Sequence, residues 1–390
     1  MNIFRNLLTR WLDDADVRVN GGRPHDLQAH DERFFRRVLL DGSLGFGEAY
    51  MDGWWSSDDL EELVYRLIRS DVRRRAYRHP GSLALEWLNR IRNDQNRIRS
   101  LRAPRRHYDL DNDLFAAFLG RYKNYSCGYY AGADDLAAAQ ILKMDIICRK
   151  LGLEPGEHLL DVGGGWGEFA LYAARNYGVR VTSINISEEQ MRSARERCAG
   201  YDVDIVRCDY RDVRGQFDKI AAIAMFPHVG HRNHRVFMET MHRALKPGGT
   251  FLMESTINTA TSTAGDPWID RYIFPGLLMP SGKQVFAATE GLFVIEDLHN
   301  FGPDYVRTLR EWNRNFQNEW EGFRGRHDER TRRMFEYFFL ISAALFRART
   351  MEYWHVVMTR QGDPQPACRI SCVDCESRRS VLVYSGAERR

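Results

Sequence analysis

Residues 158–167, HLLDVGGGWG, constrain the fold of this chain more than any other stretch. An apolar strand runs into a glycine turn, and EFALYAARNYGVRVTSIN then carries the chain through a helix into a second strand from Val179 to Asn185. That order is the βαβ unit of nucleotide-binding sheets. Gly163, Gly165 and Gly167 let the backbone approach a ligand where a Cβ would collide, and the helix N-terminus that follows favours an anionic group. The G-x-G-x-G pattern ends one residue short of the dinucleotide fingerprint and holds Trp166 inside it. With Asp161 ahead of the glycines it suits the S-adenosylmethionine (SAM) version of the turn. One glycine turn is a weak signal, so the rest of the chain has to decide.

Ser187-Glu-Glu-Gln190 has the form of a capping box and predicts a helix to about Cys198. Val203 to Asp209 and Phe217 to Met225 read as strands, the second apolar enough to be buried on both faces. A helix from about Asn233 to Leu245 is predicted to stop at Lys246-Pro-Gly-Gly249, followed by a strand from Thr250 to Thr256. The alternation predicts an α/β, doubly wound sheet from about residue 140 onwards. Parallel order places a ligand at the C-terminal strand ends, where Gly163–Gly167, Asn185 and Asp209 fall. Beyond 257 the pattern changes. Tyr305, Leu309, Trp312, Phe316 and Trp320 form a helical stripe, and Met334 to Phe346 is apolar on most faces, so most of these side chains belong to a core. The run Trp268, Tyr272, Ile273, Phe274, Leu277, Leu278 suits a pocket for a long apolar substrate. Glu352 to Arg360 reads as a final edge or central strand.

No stretch of the 390 residues approaches the roughly 20 apolar positions needed to span a bilayer, and no signal-peptide cleavage pattern follows the N-terminus. A cytoplasmic location is the expectation. The net charge of +3 hides eleven arginines between Arg73 and Arg106, interleaved with Tyr77, Trp87, Leu88 and Ile91. Such a mixture suits an anionic membrane surface, or a solvated helix laid on the rest of the protein. No recognition motif accompanies the charge, so nucleic acid ranks last. Ile3, Phe4, Leu7, Leu8 and Trp11 make a second interfacial stripe, which serves equally for a core-facing or dimer-facing helix. Of seven cysteines, Cys368, Cys372 and Cys375 crowd a polar tail without the fourth ligand a zinc site needs, and no metal is expected.

The strings LDGSLGFGEAYMDGWW (40–55), HYDLDND (107–113), YSCGYY (125–130), LDVGGGWG (160–167), CDYRD (208–212), DPWIDRYIFP (266–275), HNFGPDY (299–305) and AALFRAR (343–349) together resemble the cyclopropane-fatty-acyl-phospholipid synthases. The resemblance runs from about residue 25 to 360. It implies a small, mainly helical lipid-engaging domain (1–105), a SAM-dependent methyltransferase domain with an acyl-pocket insertion (106–360) and a polar tail (361–390). It also implies a homodimer, peripheral at the inner face of the membrane, acting on cis double bonds of unsaturated phospholipid acyl chains. Matching positions assign Tyr108 and Ser126 beside the SAM site, Asp161, Gly163 and Gly165 near its amino-acid part, Asn185 and Gln190 near the ribose, and Asp209 with Tyr210 at the adenine. Tyr272, Phe274 and Tyr305 would face the acyl chain, where aromatic rings can steady a carbocation.

In that family the base is a bound bicarbonate, and Cys127 and Tyr305 stand at two of its ligand positions. The pattern departs elsewhere: Pro227 precedes His228 where a carboxylate is expected, Glu254 takes a histidine position, and Ser342 replaces a cysteine. An anionic glutamate beside an anionic bicarbonate is repulsive. The expectation is that the Glu254 carboxylate does the bicarbonate's work, with a hydrogen bond from Tyr305 or His228, against the plainer alternative that it pairs with an arginine. A moved base can take a different proton, giving a methyl-branched unsaturated chain of the kind that leads to furan fatty acids, or serving a later step on such a lipid. A catalytically silent SAM- or lipid-binding relative is the reading from another class.

Overall fold

The structure is a computed structural model and describes residues 3–70 and 112–369. Tyr108, the arginine-rich stretch 73–106, Cys372 and Cys375 lie outside the described residues. Seven strands form the central sheet: β1 His158–Val162, β2 Arg180–Asn185, β3 Val203–Arg207, β4 Phe217–Ile223, β5 Leu245–Asn258, β6 Phe293–Asn300 and β7 Met351–Arg360. Their order is β3-β2-β1-β4-β5-β7-β6. The first five are parallel, and β7 inserts antiparallel between β5 and β6. The two-way winding about β1 opens a crevice at the C-terminal ends of β1 and β4, where such sheets bind ligands.

Two sheet features differ from the sequence reading. Lys246–Gly249 does not end the structure before a new strand: Leu245 already pairs with Phe217 and Thr250 with Lys219, so the four residues sit in β5 as a bulge. An unforeseen strand, β6, covers the outer side of β7, so of the two places open to the final strand, edge or central, it takes the central one.

Around the sheet lie helices α1 Ile3–Asp14, α2 Arg33–Met51, α3 Leu60–Arg69, α4 Asn112–Leu119, α5 Leu136–Leu151, α6 Glu168–Tyr177, α7 Glu188–Arg197, α8 His234–Ala244, α9 Pro267–Tyr272, α10 Gly282–Thr289, α11 Gly302–Glu319 and α12 Glu329–Arg347. Of the stripe predicted from Tyr305 to Trp320, Leu309, Trp312, Phe316 and Trp320 are buried and Tyr305 is half-buried, and Phe335 and Phe339 of α12 meet it ring to ring. The same apolar cluster continues into Leu8, Leu12, Phe34 and Trp55, so the N-terminal helices share a core with α11 and α12. Polar anchors fix that junction. Buried Glu61 receives Arg310 at 2.6 and 2.7 Å, and Glu48 accepts a 2.7 Å hydrogen bond from Tyr272. On α1, Leu8 and Leu12 turn inward while Ile3 (76 % exposed) and Leu7 (43 %) face out. No helix among the described residues is long and apolar enough to cross a membrane.

Candidate active site

At the end of β1, Gly163, Gly165 and Gly167 all take positive φ, 85°, 54° and 84°. Only glycine adopts such a series without strain. Gly164 is constrained by space instead: a Cβ there would lie 1.8 Å from the Ser183 Oγ and 2.5 Å from the Asp161 Oδ2. Those two groups are already joined, Ser183 donating to Asp161 at 2.8 Å across the β1–β2 pair. Burial pushes the Asp161 carboxyl up to about 6 despite that bond and the charge of Lys143.

Asn185, at the end of β2, ties the turn to the next helix. Its amide donates to the Gly165 carbonyl (3.2 Å) and the Gln190 Oε1 (3.0 Å), while its Oδ1 accepts from the N–H groups of Ile186 and Ser187. The expected capping box is therefore half built. Ser187 accepts from the Gln190 N–H, but the Gln190 side chain goes to Asn185 rather than back to residue 187. Asp209 caps the turn after β3 and holds Arg211 at 2.7 Å, with that guanidinium lying over the Tyr210 ring.

One cavity joins these groups. Gly163, Gly165, Asn185, Gln190, Asp209, Tyr210 and Ser126 line one part of it, and His228, Phe274, Tyr305 and Tyr353 another. A Cβ on Gly165 would meet nothing within 4 Å, so the turn presents bare backbone to open space. A cradle with glycine backbone at one end and a carboxylate beside an aromatic ring at the other fits SAM, whose amino-acid and adenosine parts need those two surfaces.

Lys143 also lines the cavity and was missed from the sequence. It is 1 % exposed on α5, and its Nζ donates to the Ser126 Oγ at 2.7 Å, while Gln140 one turn earlier holds the Ser126 carbonyl at 2.9 Å. Burial lowers the Lys143 ammonium, and the charges of Glu254, Cys127 and Asp161 oppose that fall. A lysine inside the apolar run AAAQILKMDII is the signal that could have found it.

Glu254 sits on β5 with no exposed surface, directly across from His355 on β7. Tyr353 donates to its Oε1 at 2.5 Å, and the His355 Nε2 meets its Oε2 at 2.7 Å. These partners stand where Tyr305 or His228 was expected, and they are not arginines. Burial alone would raise this carboxyl, but the charge of Lys143 and the two hydrogen bonds outweigh it and hold Glu254 below the ordinary glutamate value. Burial likewise lowers His355 against the pull of Glu254, which makes it a neutral imidazole donating from Nε2; its Nδ1 has no hydrogen-bond partner among the described residues. Tyr353 is held as a phenol, burial and Glu254 both raising it.

The other expected residues divide. Tyr305 is on the cavity wall with its ring edge-on to Tyr353 at 4.9 Å. His228 is there too, lowered to about 4 by burial and so neutral. Phe274 lines the cavity, whereas Tyr272 does not: its hydroxyl is engaged by Glu48 and by Arg330 (3.2 Å) at the junction with α2. Cys127 is buried behind the wall, its thiol on the Gly128 carbonyl at 3.1 Å and raised by burial. No group of metal-binding side chains occurs among the described residues.

Comparison with known proteins agrees with this fold. The fold and the glycine cradle are those of a SAM-dependent methyltransferase. The solved structure of the mycolic acid cyclopropane synthase CmaA1 complexed with SAH and CTAB superposes with a TM-score of 0.62 at 27% identity, over 66% of this chain and 97% of that one. Residues 95–356 match the family model of mycolic acid cyclopropane synthetases. The chain is 42% identical over 349 residues to the cyclopropane-fatty-acyl-phospholipid synthase of Escherichia coli K12, covering 90% of this chain and 91% of that protein. It is 34% identical over 356 residues to the tuberculostearic acid methyltransferase UfaA1 of Mycobacterium tuberculosis, covering 84% and 82%. The chain belongs to the cyclopropane synthase family.

Proposed function

We propose that this enzyme methylates the double bond of unsaturated acyl chains in phospholipids, with the Glu254 carboxylate as the final proton acceptor in place of bicarbonate. The observation that carries the reading is the buried Glu254 carboxylate beside the cavity, ionised and held on both oxygens by Tyr353 and His355. A bicarbonate does not fit well next to it. An added anion would meet like charge, and the Cys127 thiol is turned to the Gly128 carbonyl behind the wall. When bound, SAM supplies an electrophilic methyl group. Gly163, Gly165, Asn185 and Asp209 would hold it, and Ser126, clamped by Lys143 and Gln140, would close the cradle. Phe274 and Tyr305 keep the reacting carbons dry, and their ring faces stabilise positive charge by roughly 0.5–2 kcal/mol each.

Access to lipid would come from the N-terminal region, peripheral at the inner membrane face. Exposed Ile3 and Leu7 beside Arg5 and Arg10 support that route. The change of base supports a second product: if the proton leaves a chain carbon instead of the new methyl, a double bond survives. Fatty acids from cells expressing the protein and fed methyl-labelled methionine decide between them. A labelled gain of one CH2 unit with a saturated ring marks the cyclopropane, and the same gain with a double bond marks the branched olefin. Glu254→Gln should cut either yield about 10²–10⁴-fold, the usual worth of a general base. Absence of label from the lipid, with SAM bound, would overturn the activity; full turnover of Glu254→Gln would overturn the base.

A further inference from the structure

The carboxylate assigned as base has no atom on the cavity wall. Both side chains are without exposed surface, but Tyr353, bonded to the Glu254 Oε1 at 2.5 Å, lines the cavity and Glu254 does not. Its other oxygen is taken by His355. A C–H bond must come within about 3–3.5 Å of the atom that takes its proton, and Glu254 cannot offer that approach. The geometry points to Tyr353 as a further catalytic residue, a proton relay whose hydroxyl oxygen takes the substrate proton as its own proton passes to Glu254. The inference rests on the proposed role of Glu254 and supplies the contact that role lacks.

The step balances. The alkene π pair forms the new bond to the methyl carbon, the carbon–sulfur pair stays on sulfur as a thioether, and the second alkene carbon is left cationic. A lone pair on the Tyr353 oxygen takes a proton from the new methyl while the O–H proton moves to the Glu254 Oε1. The released C–H pair closes the ring, or forms a double bond if the proton comes from the chain. Tyr353 ends as it began, a neutral phenol, and Glu254 ends protonated. Its proton returns through Tyr353 to water once product has left. The position on the strand makes this possible: Tyr353 and His355 share one face of β7, pairing with Thr256 and Glu254 of β5. One side chain reaches the carboxylate from the cavity side and the other from behind.

The test uses the full-length protein with vesicles of an unsaturated phospholipid and SAM, comparing Tyr353→Phe, Glu254→Gln and the double variant. Each single change should lower single-turnover methylation about 10²–10⁴-fold. The double variant should be no slower than the slower single within about threefold, because residues acting as a unit are not additive. SAM affinity by calorimetry should stay within about threefold throughout, which also reports folding. In protein labelled with [ζ-13C]tyrosine, the resonance lost in Tyr353→Phe should shift in Glu254→Gln. Wild-type turnover of Tyr353→Phe with a slow Glu254→Gln would overturn the relay and leave Glu254 as a direct base. Full turnover of Glu254→Gln would overturn both readings. Losses that multiply in the double variant, or an unmoved tyrosine resonance, would overturn the relay alone. Should Tyr353→Phe fail to fold, 3-fluorotyrosine at position 353 keeps the hydroxyl and packing while making its proton more acidic. A rate change of at least about threefold is then expected, and an unchanged rate overturns the relay.

Discussion

The two halves of the sheet solve different problems with different means. The parallel half, β3-β2-β1-β4, faces the cavity largely with backbone: positive-φ glycines, an asparagine tying turn to helix, and a capping aspartate. The antiparallel half, β5-β7-β6, faces the cavity with a side chain held across strands: Tyr353 lines it, and behind that ring Glu254 is fixed by Tyr353 and His355. Backbone recognition needs only neighbours in sequence. Cross-strand recognition needs residues about a hundred positions apart to arrive in register. The first half can therefore be damaged by adding a single carbon, and the second by removing a single oxygen or proton without touching the chain's path.

Gly164→Ala should produce the largest break in that contrast. Its Cβ would fall inside the Ser183 Oγ and Asp161 Oδ2, and neither can retreat without separating the buried pair they form. SAM affinity should fall at least about 100-fold and thermal stability by several kcal/mol, within the range for overpacking plus a broken buried hydrogen bond. Titration calorimetry and a melt check both. Glu254→Gln should do the reverse, sparing SAM affinity and removing turnover. A Gly164→Ala protein that binds SAM normally would show that the turn is not the anchor described.

What was legible in the sequence follows the same division. Strands β1 to β4, and the turns at Gly163–Gly167, Asn185 and Asp209, were readable because each depends on a local pattern of apolar run, glycine and cap. β6 was not, because Glu296, Asp297 and His299 interrupt its apolar residues in an edge strand with no regular alternation. The partners of Glu254 were not readable either. Tyr353 and His355 lie 99 and 101 residues away, and only the β5–β7 register brings them to it. Tyr272, expected at the acyl chain, stands off the cavity for a related reason: two residues before Phe274, at the end of α9, it meets α2, where Glu48 claims its hydroxyl. The resemblance marked Glu254 as a departure, but the partners expected for it, Tyr305 or His228, or an arginine, are not the ones it has.

Acid sensitivity sharpens the comparison from the side of stability. His234 stacks on Phe226 at 4.4 Å beside the parallel half, its buried Nε2 without a hydrogen-bond partner among the described residues, and burial lowers it to about 4. A histidine depressed in the folded state contributes stability that is fully present above its unfolded value of 6.5 and is lost as pH falls from there through 4. At pH 5 the loss from this one group is about 2 kcal/mol. His234→Phe keeps the stack and removes the titration. Its denaturation midpoint should drop less between pH 7.5 and 5 than that of the parent, by a difference of that order. Equal drops in the two proteins would mean that His234 is not titrating from a buried, neutral state.

The smallest expected effect lies at the seam between the halves. Ala224 follows β4 and takes a φ of +54°, while its N–H donates to the Glu254 carbonyl at 2.9 Å. A Cβ in the left-handed region costs roughly 1–2 kcal/mol. Glycine would relieve that cost but would gain freedom in the unfolded chain, which offsets about 0.5–1 kcal/mol of it. Ala224→Gly should therefore stabilise the protein by about 0.5–1 kcal/mol, seen as a small rise in the urea midpoint with an unchanged slope. The strain persists because β4 must leave the parallel half at the point where β5 presents Glu254 to Tyr353, and the backbone bond between Ala224 and Glu254 fixes both at once. A lower midpoint would mean that this conformation is not strained, and that the two halves are joined there without cost.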